Sequence, residues 1–185
     1  DIHLADHMVD LVAEGFDMAI RITRLKDSSL IARKLADFNG YVVASPGYIA
    51  EHGESLHPTE LANHRTLAYT NLANPNVWEF EGPEGQINVR VNPVMSCNNG
   101  DFTSFAAIRG LGIAREPEFI VAEALQKGSL VSILNEYNSL ASGGIYAVYP
   151  ERRHLPTKVR IFIDFLVEKF RGGLCNFHKT MFPSD

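Results

Sequence analysis

The chain of 185 residues is poor in cysteine, holding only Cys97 and Cys175. They stand far apart with no Cys-x-x-Cys spacing, so neither a disulfide framework nor a zinc site of paired thiolates is signalled. Cys97 lies in an apolar strand context, where a free thiol acts as a small hydrophobe. Positive charge is also short: 17 Lys and Arg against 22 Asp and Glu give a net charge of −5. That balance excludes a free-standing phosphate-binding surface over most of the molecule. The densest basic cluster, Arg152, Arg153 and His154 followed by Lys158 and Arg160, reads as a solvated face. No apolar run approaches the roughly 18 residues that a helical membrane span requires. The opening "DIHLADHMVDLVAEG" carries neither the basic nor the apolar segment of an export signal, so a cytoplasmic location and no membrane partner are expected.

Reactive chemistry is equally sparse. His3 and His7 have helical i, i+4 spacing, but Leu4 stands where zinc helices carry glutamate and no third ligand is evident; no metal is expected. Ser45 in "VVASPGY" lacks the Gly-x-Ser-x-Gly frame of a nucleophile elbow and reads as a helix cap. Glu116 and Glu118 flank Pro117 and read as acidic charge at a helix start. "GLGIA", residues 110–114, holds part of a dinucleotide fingerprint but follows a helix instead of a strand. No catalytic residue and no cofactor are therefore assigned.

What is present is a mixture of strands and helices. Leu4, Met8, Leu11 and Val12 form a stripe that predicts a first helix, capped by Asp6 and ended by Gly15. "MAIRI" predicts a strand. "SLIARKLADF" and "YVVAS" predict two more, separated by a turn at Asn39 and Gly40. Ser45 and Pro46 open a helix that Gly53 closes, and Pro58 opens a short one. Two or three short strands follow within residues 71–97. Helices are predicted from "NNGDFTSFAAIRG", "PEFIVAEALQKG" and "LPTKVRIFIDFLVEKF", interleaved with strands at "LGIAREP", "LVSIL" and "GGIYAVYP". Residues 172–185 read as a tail.

This alternation implies α/β architecture with parallel sheets. Patches rich in Asn, Pro, Gly and Ser at residues 69–77 and 138–144 read as two linkers between lobes. The division expected is residues 1–68 plus 144–171 for one lobe and 69–143 for the other. Within the second, Asn98, Asn99, Gly100 and Asp101 precede a helix. Amide side chains and free backbone N–H groups there suit a carboxylate or another small polar ligand, with capping alone the equal alternative.

Several stretches, in order, resemble the effector-binding domain of LysR-type transcriptional regulators: "VDLVAEGFDMAIRI", "DSSLIARKLADFNGYVVASPGYIAEHG", "HPTELANHRTLAY", "WEFEGPEGQINVRV", "NNGD…AAIRGLGIAREPEFIV", "GSLVSIL" and "YAVYPERRHLPTKVRIFIDFLVEKF". The resemblance covers residues 1 to about 170. It implies a periplasmic-binding-protein-like fold of type II, with two Rossmann-like lobes, two crossover strands and a small effector in a cleft. Carried over by position, the effector would meet Ala5, Asp6, Arg21, Ile22, Thr70, Asn71, Trp78, Asn98, Asn99, Gly100 and Asp101. Trp78 and Ile22 would supply apolar contact, and the helix-start N–H groups and amides would fix orientation.

The same resemblance implies a homodimer, a tetramer in the full-length form, and DNA contact only through an N-terminal helix-turn-helix that this sequence does not include. Its implied first strand and helix would also precede Asp1. "SPGYIAEHG" and "FIVAEALQKG" are the interface candidates, and a carboxylate or an aromatic compound the effector candidate. A periplasmic solute-binding protein is the alternative function, and an enzyme on the same scaffold a third.

Overall fold

A computed structural model describes residues 1–23, 30–151 and 155–171. The expected tail at 172–185, Cys175, and Arg152, Arg153 and His154 of the basic cluster lie outside the described residues. The chain divides into two compact units, residues 1–7 with 39–142, and residues 8–38 with 143–185. The chain passes between them at His7 and Met8, at Phe38 and Asn39, and at Ser142 and Gly143.

The first unit is a mixed sheet covered on both faces. Its strands are β2 (Leu30–Ala44, of which residues 39–44 belong here), β3 (Thr66–Tyr69), β4 (Val77–Gly82), β5 (Gly85–Arg90), β6 (Pro93–Cys97), β7 (Ile113–Pro117), β8 (Val131–Ile133) and the start of β9 (Asn138–Pro150). They lie in the order β5-β4-β9-β2-β7-β3-β6, with β8 beside β2. The expectation of parallel pairing holds around β3, which runs parallel to β6 and β7. β2 is antiparallel to β7 and β8, and β4 to β5 and β9.

Alternation along the strands sends successive side chains to opposite faces. Val42, Ala44 and Ile113 join Tyr48, Leu61, Trp78 and Phe80 in one core. Val43 and Ala114 join Leu67, Ala106, Ala107 and Val121 in the other. Helix α1 (Pro46–His52) contributes to the first core through Tyr48, and α2 (Gly100–Ile108) and α3 (Glu118–Gln126) cover the second.

Local chemistry fixes the helix ends. Ser45 accepts a hydrogen bond from the Tyr48 amide, Pro46 follows it, and Gly53 closes α1 at φ 83°. A 3-10 turn at Pro58–Asn63 begins with His57, whose ring accepts from the Thr59 amide, while Glu60 reaches back to the amides of Leu56 and His57. Gly112 is needed for a different reason. A Cβ there would stand 2.5 Å from the Arg65 carbonyl oxygen, which accepts the Ile113 amide at 2.8 Å.

The second unit pairs β1 (Ala19–Thr23) antiparallel with β9, from Ala19 opposite Val148 to Thr23 opposite Gly144. Helix α4 (Thr157–Lys169) buries Val159 and Ile163 against Ala147, with Met18, Leu35 and Tyr149 around them. Ion pairs from Arg33 to Asp164 (3.0 Å) and Lys158 to Asp17 (2.5 Å) lie on its surface. Lys158, read as part of a basic face, is thus matched by an acid.

Three expected elements differ. Asn39 and Gly40 make no turn: β2 runs through them as one strand, because Gly40 to Val43 pair with β7 and hold the backbone extended. Residues 138–144 are no loop but the start of β9, along which the chain passes from the first unit to the second. No helix forms over residues 4–12. Instead Asp10, not Asp6, accepts the amides of Val12 and Ala13 in a single turn that ends at Gly15, φ 76°. Of the predicted stripe only Leu11 is buried, while Leu4, Met8 and Val12 remain exposed.

Candidate functional site

The first turn of α2 gathers the polar groups that the sequence singled out. β6 ends at Cys97, whose carbonyl accepts the Thr70 amide at 2.9 Å, so the residues after β3 and β6 lie side by side. Asn99 caps α2: its Oδ1 accepts the Phe102 amide at 2.9 Å. That leaves its Nδ2 to donate outward, and it does so to the Asp6 carboxylate, 3.2 Å away. Asn71 Nδ2 donates to the Asp6 carbonyl (2.5 Å) and lies 3.3 Å from both the Tyr69 hydroxyl and the Asn98 carbonyl. Two amides from different loops thus hold the backbone and the side chain of one aspartate, at the positive end of a helix. Asp6, Asn71, Asn98 and Asp101 are all exposed, with Ala5 and Thr70 exposed beside them.

Beneath this turn lies the carboxyl of Glu116, which with Glu118 was expected to be helix-start charge. Only Glu118 fills that place, in the first turn of α3. Glu116 is instead the fourth residue of β7, on the face that α2 and α3 cover, and only 3% exposed. The Thr103 hydroxyl contacts Glu116 Oε1 and also the Gly100 carbonyl at 2.8 Å. A Cβ on Gly100 would come within 3.1 Å of Glu116 Oε2, so glycine is what lets the helix start approach the carboxyl. Burial pushes the Glu116 carboxyl up to about 7, and Asp101 nearby pushes the same way, while the Thr103 contact and Arg115 oppose it. Parity along β7 was the available signal: with Ala114 facing the second core, Glu116 must face it too.

The other expected residues are placed differently. Trp78 is 1% exposed in the first core, with the Arg115 guanidinium 5.3 Å from its ring centroid. It is a core residue and offers no surface to an effector, because its strand turns it inward among Val42, Leu61 and Phe80. Arg21 and Ile22 belong to β1 of the second unit. Arg21 donates to the Val9 carbonyl at 2.8 Å, and Ile22 is half exposed. His3 and His7 share no helix face, and among the described residues no group of three or more His, Cys, Asp or Glu is arranged to hold a metal. No helix of the described residues is long and apolar enough to cross a membrane.

Comparison with known proteins supplies the family. The family described as LysR substrate binding domain matches residues 1–171. The HTH-type transcriptional regulator PtxR of Pseudomonas aeruginosa is 37% identical over 163 residues, which are 88% of this chain and 52% of that protein. DmlR of Escherichia coli, also an HTH-type transcriptional regulator, is 37% identical over 173 residues, 93% of this chain and 56% of that one. The chain thus spans about half the length of these curated relatives. Among solved structures, the CrgA regulatory domain of Neisseria meningitidis superposes with a TM-score of 0.75 at 32% identity, covering 85% of this chain and 77% of that one. Full-length AphB of Vibrio cholerae, a virulence activator, superposes at 0.78 with 29% identity, covering 91% and 57%. These matches extend over nearly the whole described chain, and they carry the periplasmic-binding-protein-like fold with them: the chain belongs to the LysR substrate-binding domain family.

Proposed function

We propose that this chain is the effector-sensing part of a LysR-type transcription regulator, and that a small carboxylate-bearing molecule binds at the first turn of α2. The observation that carries the reading is the hold on Asp6. Asn99 and Asn71 already grip a carboxylate and a carbonyl from the chain itself. An incoming carboxylate that takes the place of the Asp6 side chain accepts from the same amide, so the donor stays satisfied while Asp6 turns to solvent. Asn98, Gly100 and Asp101 frame the same turn, and Thr70 and Ala5 flank it; Arg21 and Ile22 rest on the family resemblance alone.

The molecule is bound and not transformed on this reading, in keeping with relatives named as transcriptional regulators; nothing in those names supports a transporter's solute-binding protein. Binding acts through different affinities for two conformations of a dimer, tetrameric in the full-length regulator, whose helix-turn-helix contacts DNA in the cytoplasm. The test is a thermal-shift screen of this chain against small mono- and dicarboxylates, aromatic acids included. A true effector at a hundred times its Kd adds about 2.7 kcal/mol of stability. Asn99→Leu removes the donor and fills the space, so the shift should vanish. A shift of unchanged size in that variant places the ligand elsewhere and refutes the site.

A further inference from the structure

We infer that Glu116 makes anion binding at the first turn of α2 proton-linked, the neutral carboxyl being the binding-competent form. This rests on reading that turn as the effector site and adds how the site is regulated. The geometry argues it through one hydrogen atom. The Thr103 hydroxyl has a single proton and three acceptors in reach, the Asn99 carbonyl at 3.4 Å, the Gly100 carbonyl at 2.8 Å and Glu116 Oε1. The contacts with Glu116 and with a helix-start carbonyl are hydrogen bonds together only when Glu116 is protonated and donates to Thr103 Oγ1, freeing the Thr103 proton for the nearer carbonyl, that of Gly100. An ionised Glu116 accepts the hydrogen bond of that hydroxyl, which the Gly100 carbonyl then loses, so the charge state of a residue on β7 rewires the start of α2.

The charge itself matters as much. Glu116 Oε2 lies 3.1 Å from where a Gly100 Cβ would stand, directly under the amides that would face a ligand. A buried anion there and a bound anion above compete for the same positive helix end and repel each other across a poorly screened interior. The groups around Glu116 do not cancel this. Asp101 on α2 carries the same sign, and Arg115 on its own strand points to the opposite face, over Trp78. Tyr41 on β2 is its partner across the ladder, Tyr69 ends the parallel neighbour β3, Glu118 opens α3, and Asp6 lies against Asn99. The carboxyl pushed up to about 7 agrees with this account and sets where the linkage operates.

The experiment uses sulfate, whose charge is constant between pH 6 and 8, titrated into this chain at fixed ionic strength while the amide resonances of residues 99–103 are followed. If only the neutral form binds and its midpoint is near 7, affinity falls about tenfold from pH 6 to pH 8. Glu116→Gln should bind equally at both. By reciprocity, saturating sulfate should raise the midpoint of the Glu116 carboxyl resonance in the unmutated chain, a measurement that needs no variant. Equal wild-type affinity at pH 6 and 8, a pH dependence that persists in Glu116→Gln, or an unmoved Glu116 midpoint overturns the linkage while leaving the ligand site standing. Absence of binding at either pH in both proteins removes the anion site and this inference with it.

Discussion

Replacing Glu116 by glutamine should change how the stability of the first unit depends on pH, even with no ligand present. In the folded chain this carboxyl titrates near 7 where an unburied glutamate titrates near 4.5. Between those values the folded state holds a proton that the unfolded state has released, so unfolding stability falls as pH rises from about 4.5 to about 7 and is lowest above that window. Each pH unit of separation corresponds to about 1.4 kcal/mol, which makes the total about 3 kcal/mol, a sizeable part of a domain's stability. Glutamine keeps the shape and can still meet the Thr103 hydroxyl, but it never ionises. The two proteins should therefore match most closely near pH 5, and the variant should be the more stable by about 3 kcal/mol at pH 8. Urea titrations at pH 5, 6, 7 and 8 measure this directly. Trp78, the single tryptophan, is buried in the same unit and reports its unfolding by fluorescence. Charged groups remote from Glu116 contribute equally to both proteins and cancel in the difference. Stability curves that run parallel across the whole range would refute the burial argument.

Two further substitutions separate packing from binding. Trp78→Ala should destabilise the first unit by about 3–5 kcal/mol, because its ring fills the core among Leu61, Phe80 and Val42; denaturant titration followed by circular dichroism checks it, and a loss below 1 kcal/mol would place the ring at a surface. Gly112→Ala should cost about 1–3 kcal/mol, since the new methyl meets the Arg65 carbonyl oxygen and must displace the backbone that holds the Ile113 amide; an unchanged thermal midpoint would show that this approach relaxes freely.

Much of the secondary structure was legible because its signals are local. Ser45 with Pro46, Gly53, Pro58 and Asn99 mark helix ends through hydrogen bonds made within a few residues. The family, too, was readable from ordered motifs. What failed depended on distant parts of the chain. Asn39 and Gly40 have turn chemistry, yet β7 pairs with Gly40 to Val43 and outweighs it. The stripe Leu4, Met8, Leu11 and Val12 has helical spacing but, apart from Leu11, nothing to bury it here, and spacing without a packing partner does not hold a helix. At the site, Asn99 is legible as a polar group at a helix start and caps α2, whereas Asn71 enters only through the family resemblance. The role of Asp6 as their occupant is not legible, since that contact spans 93 residues from Asp6 to Asn99. Trp78 was assigned to the ligand and belongs to the core, because its side of β4 follows from the pairing of the strand and not from its neighbours in sequence.

The division of the chain has a consequence for biosynthesis. Residues 8–38 leave the ribosome well before their companions at 143–185, with about a hundred residues of the other unit emerging in between. The early segment must wait, unpaired, while the interrupting unit has everything it requires once residue 142 has been made. The first unit is thus expected to be complete before the second, and the stretch around β1 is the part a chaperone would find uncovered in the meantime.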